Sequence, residues 1–125
     1  MTGVPAPEVH SPIQCKAVND ILARVGDKWT MQVVMTLSAG PVRFNALRRG
    51  IDGISQRMLT RTLRALERDG LVAREVTPSV PPRVDYSLTP LGRSLRDPVG
   101  VLGGWAMANR EEIDEARARF DAETD

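Results

Sequence analysis

SQRMLTRTLRALERDGLVAREVTPSVPPRVDYSL, residues 55–88, decides how this chain folds. Ser55 is a helix N-cap residue, and the segment after it runs without a breaker to Gly70. At about 100° per residue, Leu59, Leu63 and Leu66 fall on one side of that helix. Arg57, Arg61, Arg64 and Arg68 fall on the opposite side, with no acid among them. Beyond Gly70, two segments of strand character, residues 71–76 and 84–88, flank a tip holding Pro78, Pro81 and Pro82. Proline cannot donate to a ladder, so the prolines mark a hairpin tip and not a central strand.

Outward from this stretch the rest of the chain reads as helices. Residues 1–11 are rich in proline and small residues and are expected to form a flexible arm. Ser11-Pro12 reads as a cap and first helical residue, with Cys15, Val18, Ile21, Leu22 and Val25 on one stripe up to Gly26. Asp27 caps a second helix that lasts until Gly40-Pro41, with Trp29, Val33 and Leu37 on a common face. "RFNALRRGI", residues 43–51, gives a short third helix with Phe44 and Leu47 inward. After the hairpin, Thr89-Pro90 opens a fifth helix lined on one side by Leu91, Leu95, Leu102 and Trp105. Pro98, Gly100, Gly103 and Gly104 should kink or loosen it. Residues 109–125 read as a charged helical extension with Ile113 and Phe120 as its apolar points. Helices followed by a two-stranded hairpin define a mainly α fold with a small β wing. This is the winged helix-turn-helix arrangement, here spanning residues 12–108 with flanking helices.

Bulk properties agree with a single domain. The chain has 125 residues and one cysteine, so no intrachain disulfide can form. Its start lacks the basic and apolar regions of a signal peptide, and no apolar run reaches membrane-span length, so a cytoplasmic protein is expected. Net charge is only +1, but it is segregated. Residues 43–68 carry seven arginines against two acids, and residues 109–125 carry seven acids against three arginines.

Catalysis finds little support. The single histidine, His10, lies in the arm, no Cys/His spacing would hold zinc, and no glycine-rich phosphate loop is present. No catalytic residue, metal or cofactor is expected. The arginine stripe has a plain reading, a solvated face. Yet Arg57 with Arg61, and Arg64 with Arg68, are like-charge pairs one turn apart, which repel. Facing phosphates relieves that repulsion, and arginine is also the side chain that forks onto guanine O6 and N7. A winged helix used only for protein contacts would carry acids or apolar residues there instead. The stiff tip fits the same reading. A hairpin ordered beforehand by Pro78, Pro81 and Pro82 loses less freedom on binding, and it mounts Arg83 for a narrow minor groove. Blunting an exposed sheet edge is the alternative role of those prolines.

"DKWT", residues 27–30, followed by "GPVRFNALRRGIDGISQRMLTRTLRALERDGLVAREVTPSVPPRVDYSLTPLG", residues 40–92, resembles the HxlR-type transcriptional regulators, relatives of the MarR group. The resemblance covers about residues 15 to 105. It implies a homodimer, joined through the first and last helices, that regulates transcription from a palindromic operator in double-stranded DNA. It implies DNA contact by Ser55, Gln56, Arg57, Thr60, Arg61, Arg64 and the wing residue Arg83; Arg43, Arg68 and Pro82 complete the candidate set. Some members sense oxidants or electrophiles through an N-terminal cysteine, and Cys15 stands at the matching place. The first turn of a helix beside a lysine, Lys16, is a setting in which a thiol becomes reactive. Cys15 also falls in phase with Val18, Ile21 or Leu22, and Val25, where a cysteine packs as a small hydrophobe, and burial is its commoner fate. The alternative function is therefore a winged-helix regulator controlled by a small-molecule effector, with Cys15 purely structural. Target genes, effector and the sign of regulation leave no trace in the residues.

Overall fold

A computed structural model describes residues 12–124. The arm expected at residues 1–11, with His10 and the cap expected at Ser11, lies outside the described residues. Six helices and three strands follow in order: α1 (Pro12–Val25), α2 (Lys28–Thr36), a 3-10 turn (Leu37–Ala39), β1 (Val42–Arg43), α3 (Phe44–Gly50), α4 (Gln56–Arg68), β2 (Val72–Thr77), β3 (Arg83–Leu88), α5 (Pro90–Ala108) and α6 (Arg110–Thr124). This is the mainly α, winged helix-turn-helix fold that the residue pattern implied.

Local chemistry explains most of the boundaries. Oδ2 of Asp27 accepts from the amides of Trp29 and Thr30, each at 3.1 Å, satisfying two donors that α2 cannot pair itself. Ser55 does the same for Met58 at the start of α4, and Thr89 for Gly92 at the start of α5, each at 3.0 Å. Gly70 ends α4 in the left-handed conformation, φ +76°, which only glycine adopts freely.

The core forms where α2, α3 and α4 close over the sheet. Val33, Leu37, Leu47, Leu59, Leu63 and Leu66 are buried, joined from the sheet by Val72, Tyr86 and Leu88. Ile51 and Ile54 are buried in the turn between α3 and α4 and pin the two helices together.

Three expectations need correction. The wing is not a two-stranded hairpin alone. Val42 and Arg43 form a third strand, paired antiparallel with Tyr86 and Asp85, so the sheet order is β1-β3-β2. Arg43 therefore belongs to a strand, and α3 begins at Phe44. The second helix gives way at Leu37 to a 3-10 turn, where the hydroxyl of Ser38 donates to the carbonyl of Val34 at 2.9 Å. Pro98 lies inside α5, which runs as one helix of 19 residues. Val99 is buried and Leu95 packs on the core, so tertiary contacts on both sides of Pro98 hold the helix despite the missing amide. Finally, the apolar stripe of α1 is not in the core: Cys15, Val18, Ile21 and Leu22 are exposed, Leu22 by 58%. Only Val25, at the end nearest α2, is half-buried. The rest of α1 extends past the elements of its own chain that would cover it, so packing in the core of this chain does not account for Cys15.

Candidate nucleic-acid interface

The buried side of α4 is set by Leu59, Thr62, Leu63 and Leu66. Its opposite side is fully presented to solvent. There Gln56, Arg57, Thr60, Arg61 and Arg64 line one shallow depression running along the helix. Among the described residues, no carboxylate lies within 4.0 Å of the guanidinium groups of Arg57, Arg61, Arg64 or Arg68. Ion pairing within the chain therefore leaves the stripe uncompensated, and an external anion would relieve its repulsion. Ser55 is engaged differently from its neighbours. Its hydroxyl oxygen is occupied by the Met58 amide, which makes it first a cap and fixes the entry of the helix.

Arg68 lies one turn beyond Arg64 and does not line this depression. It opens instead onto a cleft between α1, α5 and the end of α4, together with Asp20, Asp69 and Ser94. Asp69 is itself bound across that cleft: Nε of Arg24 donates to its Oδ2 at 3.0 Å.

On the sheet, Arg43 and Arg83 lie on the same face as Asp85. Arg43 is the register partner of Asp85 across the β1–β3 pair. Nε of Arg83 donates to Oδ2 of Asp85 at 2.9 Å, while half of the Arg83 side chain remains exposed. Residues two apart on a strand share a face, so the pair orients the guanidinium along the wing and leaves its other nitrogens available. Pro82 stands at the exposed tip, where the hydroxyl of Ser79 donates to the carbonyl of Pro81 at 2.7 Å. Cys15 lies apart from all of these, on α1.

What fixes the wing relative to α4 is a set of contacts that the sequence reading did not single out. The Thr89 hydroxyl donates to the carbonyl of Gly70 at 2.6 Å, and its amide donates to the carbonyl of Leu71 at 3.1 Å. A Cβ on Gly92 would stand 2.0 Å from that same Leu71 oxygen. The turn after α4 and the first turn of α5 are thus in backbone contact, and a glycine is required there. Arg93 donates to the carbonyl of Leu88 at 3.0 Å and closes the same corner from β3. "TPLG", residues 89–92, was the available signal: a cap, a proline at the first helical position and a glycine two residues later. Asp85 could also have been found, since it alternates with Arg83 on the strand.

Among the described residues, no group of three or more His, Cys, Asp or Glu side chains is placed to hold a metal. No helix among them is long and apolar enough to cross a membrane.

Comparison with known proteins agrees with this architecture. The sequence model of the family described as HxlR-like helix-turn-helix matches residues 24–114. The HTH-type transcriptional regulator YtfH of Escherichia coli is 41% identical over 100 residues, covering 80% of this chain and 79% of that protein. The solved structure of the redox regulator HypR in its reduced form superposes with a TM-score of 0.74 at 42% identity, covering 79% of this chain and 98% of that one. Diamide-treated YodB from Bacillus subtilis superposes with a TM-score of 0.66 at 30% identity, covering 81% and 96%. A matched helix-turn-helix core, a three-stranded wing and regulators on every side of the comparison lead to one conclusion: this chain is a transcriptional regulator that belongs to the HxlR-like helix-turn-helix family.

Proposed function

We propose that the protein acts in the cytoplasm as a homodimer that binds double-stranded DNA at an inverted repeat. α4 enters the major groove, and the wing rests on the backbone beside it. The observation that carries this reading is the exposed face of Gln56, Arg57, Thr60, Arg61 and Arg64, on the helix after the α3 turn and free of carboxylate partners. Arg61 and Arg64, in the middle of α4, read base edges. Gln56 and the first-turn amides of α4, with Arg57 and Thr60, hold phosphates and set the register. Arg83 reaches the adjoining minor groove from a mount held by Asp85 and the prolines, with Pro82 against the sugar-phosphate chain. Arg43, on the neighbouring strand, and Arg68, at the end of α4, add positive potential around the groove.

Dimerisation is supported by surface that one chain leaves uncovered. Val18, Ile21 and Leu22 on α1 and Val101, Leu102, Trp105 and Met107 on α5 are all exposed, large apolar side chains clustered on two helices. Pairing α1 and α5 with the same elements of a second copy buries these residues and sets two α4 helices one DNA turn apart. Selection from random duplex, followed by footprinting, tests the reading. The expected product is a symmetric repeat with half-sites about 34 Å apart along the duplex. Recovery of sequences without two-fold symmetry contradicts it.

A second reading concerns oxidants. Cys15 is exposed on α1, the helix assigned to dimerisation, and structures similar to this chain include one titled as a redox regulator and one as diamide-treated. Two-electron oxidation by diamide, joining the Cys15 sulfurs of two copies or Cys15 and a small thiol in a disulfide with loss of both thiol protons, would then shift the α1 contacts and change operator affinity. Diamide treatment of the wild type and of Cys15→Ser, read by operator affinity and non-reducing gel, decides it. The expected loss of affinity is confined to the wild type. A reacted thiol with unchanged affinity contradicts sensing by this route.

A further inference from the structure

We propose that Arg48 and Arg49, at the end of α3, hold the phosphate chain on the side of the major groove away from the wing, so that each protomer grips both backbones around α4. This grip rests on the DNA reading above and adds an anchoring point that α4 and the wing do not supply.

Of the seven arginines between residues 43 and 68, α4 and β1 account for five, and Arg48 and Arg49 are the other two. Both are exposed, and among the described residues no carboxylate lies within 4.0 Å of either guanidinium. Phe44, Leu47 and Ile51 turn toward the core at helical spacing, which leaves Asn45, Arg48 and Arg49 on the solvent side. These three side chains line a depression of about 420 Å³ that runs from α3 into the turn before α4. Ile51 and Ile54 also line it, and both are buried, so the core fixes its shape. Asp52 lines it as well and opposes an anion, but the two cations outweigh the one acid. Arginines in the last turn of a helix also offset its dipole, a local service to stability. That service predicts a loss of stability without a loss of binding when they are replaced, which the test below separates.

Placement points to the partner. This depression ends at Ile54, the one along the α4 stripe begins at Gln56, and the Ser55 cap stands between them. The two thus follow one another at the amino end of α4. The wing begins beyond the carboxyl end, at Val72. The 13 residues of α4 rise about 20 Å, whereas the major groove is roughly 12 Å wide. A helix crossing that groove reaches past both edges, with Arg48 and Arg49 at one phosphate chain and the wing at the other. The guanidinium fork matches phosphate and forms charge-assisted hydrogen bonds with it. Phosphate contacts position a protein without reading sequence, so this pair sets how α4 enters and not which bases it prefers.

The test uses the full chain and the selected inverted repeat. Single phosphates are replaced one at a time by uncharged methylphosphonates, and binding is read by fluorescence anisotropy. In the wild type, sensitive phosphates are expected along both edges of the groove. In the double variant Arg48→Gln with Arg49→Gln, the edge away from the wing should lose its sensitivity while the wing side keeps it. Operator and scrambled duplex should each bind roughly tenfold more weakly, with their ratio unchanged. The slope of log K against log salt should become shallower by about 2–4 for the dimer, the share of one or two phosphates per protomer. Arg48→Lys with Arg49→Lys, which keeps the charge, should restore most of the slope, and circular dichroism confirms that each variant is folded. An unchanged slope and methylphosphonate pattern in the glutamine variant, whatever its melting temperature, overturns the grip and confines the pair to the end of α3. A changed ratio of operator to scrambled binding overturns the phosphate role in favour of base reading. Failure of the DNA reading itself shows in the wild type, as the absence of salt-dependent duplex binding, and the grip falls with it.

Discussion

Arg83 and Asp85 form an ion pair at 2.9 Å on one face of β3, and the acid is also the cross-strand partner of Arg43. One carboxylate therefore holds one arginine proposed to meet DNA and stands opposite another in the sheet register. Its side chain is 18% exposed and that of Arg83 is 50% exposed, so the acid is the fixed member and the arginine the reaching one.

In the proposed interface Asp85 sets a negative charge beside phosphate, and replacing it removes that charge. Asp85→Asn is expected to tighten binding to any duplex by roughly fivefold, in the range of one exposed ion pair, and to steepen its salt dependence. Arg83→Ala is expected to weaken operator and scrambled duplex by similar factors. Anisotropy titrations of both variants on both duplexes check this, and a selective loss of operator binding in Arg83→Ala would assign that side chain to sequence reading.

The middle of α4 should behave in the opposite way. Arg61→Ala or Arg64→Ala is expected to lose about 1–3 kcal/mol of discrimination between operator and scrambled duplex, the worth of a bidentate base contact. Equal losses on both duplexes would place these two side chains on phosphate.

Two glycines of α5 make a paired test of the fold. Gly92→Ala puts a methyl 2.0 Å from the Leu71 carbonyl, and at least about 2 kcal/mol of destabilisation is expected from that clash. Gly100→Ala meets nothing within 4 Å and sits in a helix interior, so it should stabilise by about 0.5–1 kcal/mol. Urea denaturation of the two variants gives both signs directly.

Dimerisation should fail when the uncovered apolar face is charged. Leu102→Glu, at a residue 50% exposed in the single chain, is expected to leave the fold intact and to shift the mass measured by light scattering from dimer to monomer. An unchanged dimer would move the interface away from α5.

Much of this architecture was legible because its signals are local. The caps Asp27, Ser55 and Thr89, the spacing of Leu59, Leu63 and Leu66, and the glycine that ends α4 all act within a few residues of themselves. What escaped depends on distant partners. Val42 and Arg43 make a strand only because Tyr86 and Asp85 are there to pair with them. How a helix runs on through Pro98 depends likewise on Val99 and Leu95, buried or packed on either side of it. The stripe of α1 was correctly found to be apolar, but periodicity says which face is apolar and not what covers it, and within this chain most of it is uncovered. For the candidate site, the α4 stripe was legible, whereas the separation of Arg68 from it and the engagement of Arg83 with Asp85 required three dimensions.

The central claim is that the arginine face of α4 and the wing form a specific DNA interface, repeated in a dimer. The most direct measurement is the affinity for a selected inverted repeat as a function of salt, beside a scrambled duplex of equal length. With roughly three to five phosphates neutralised by each protomer, log K should fall against log salt with a slope of about −5 to −9. The repeat should also be favoured by about a thousandfold or more at physiological salt. A shallow slope, or equal affinity for the two duplexes at that salt, would contradict the account.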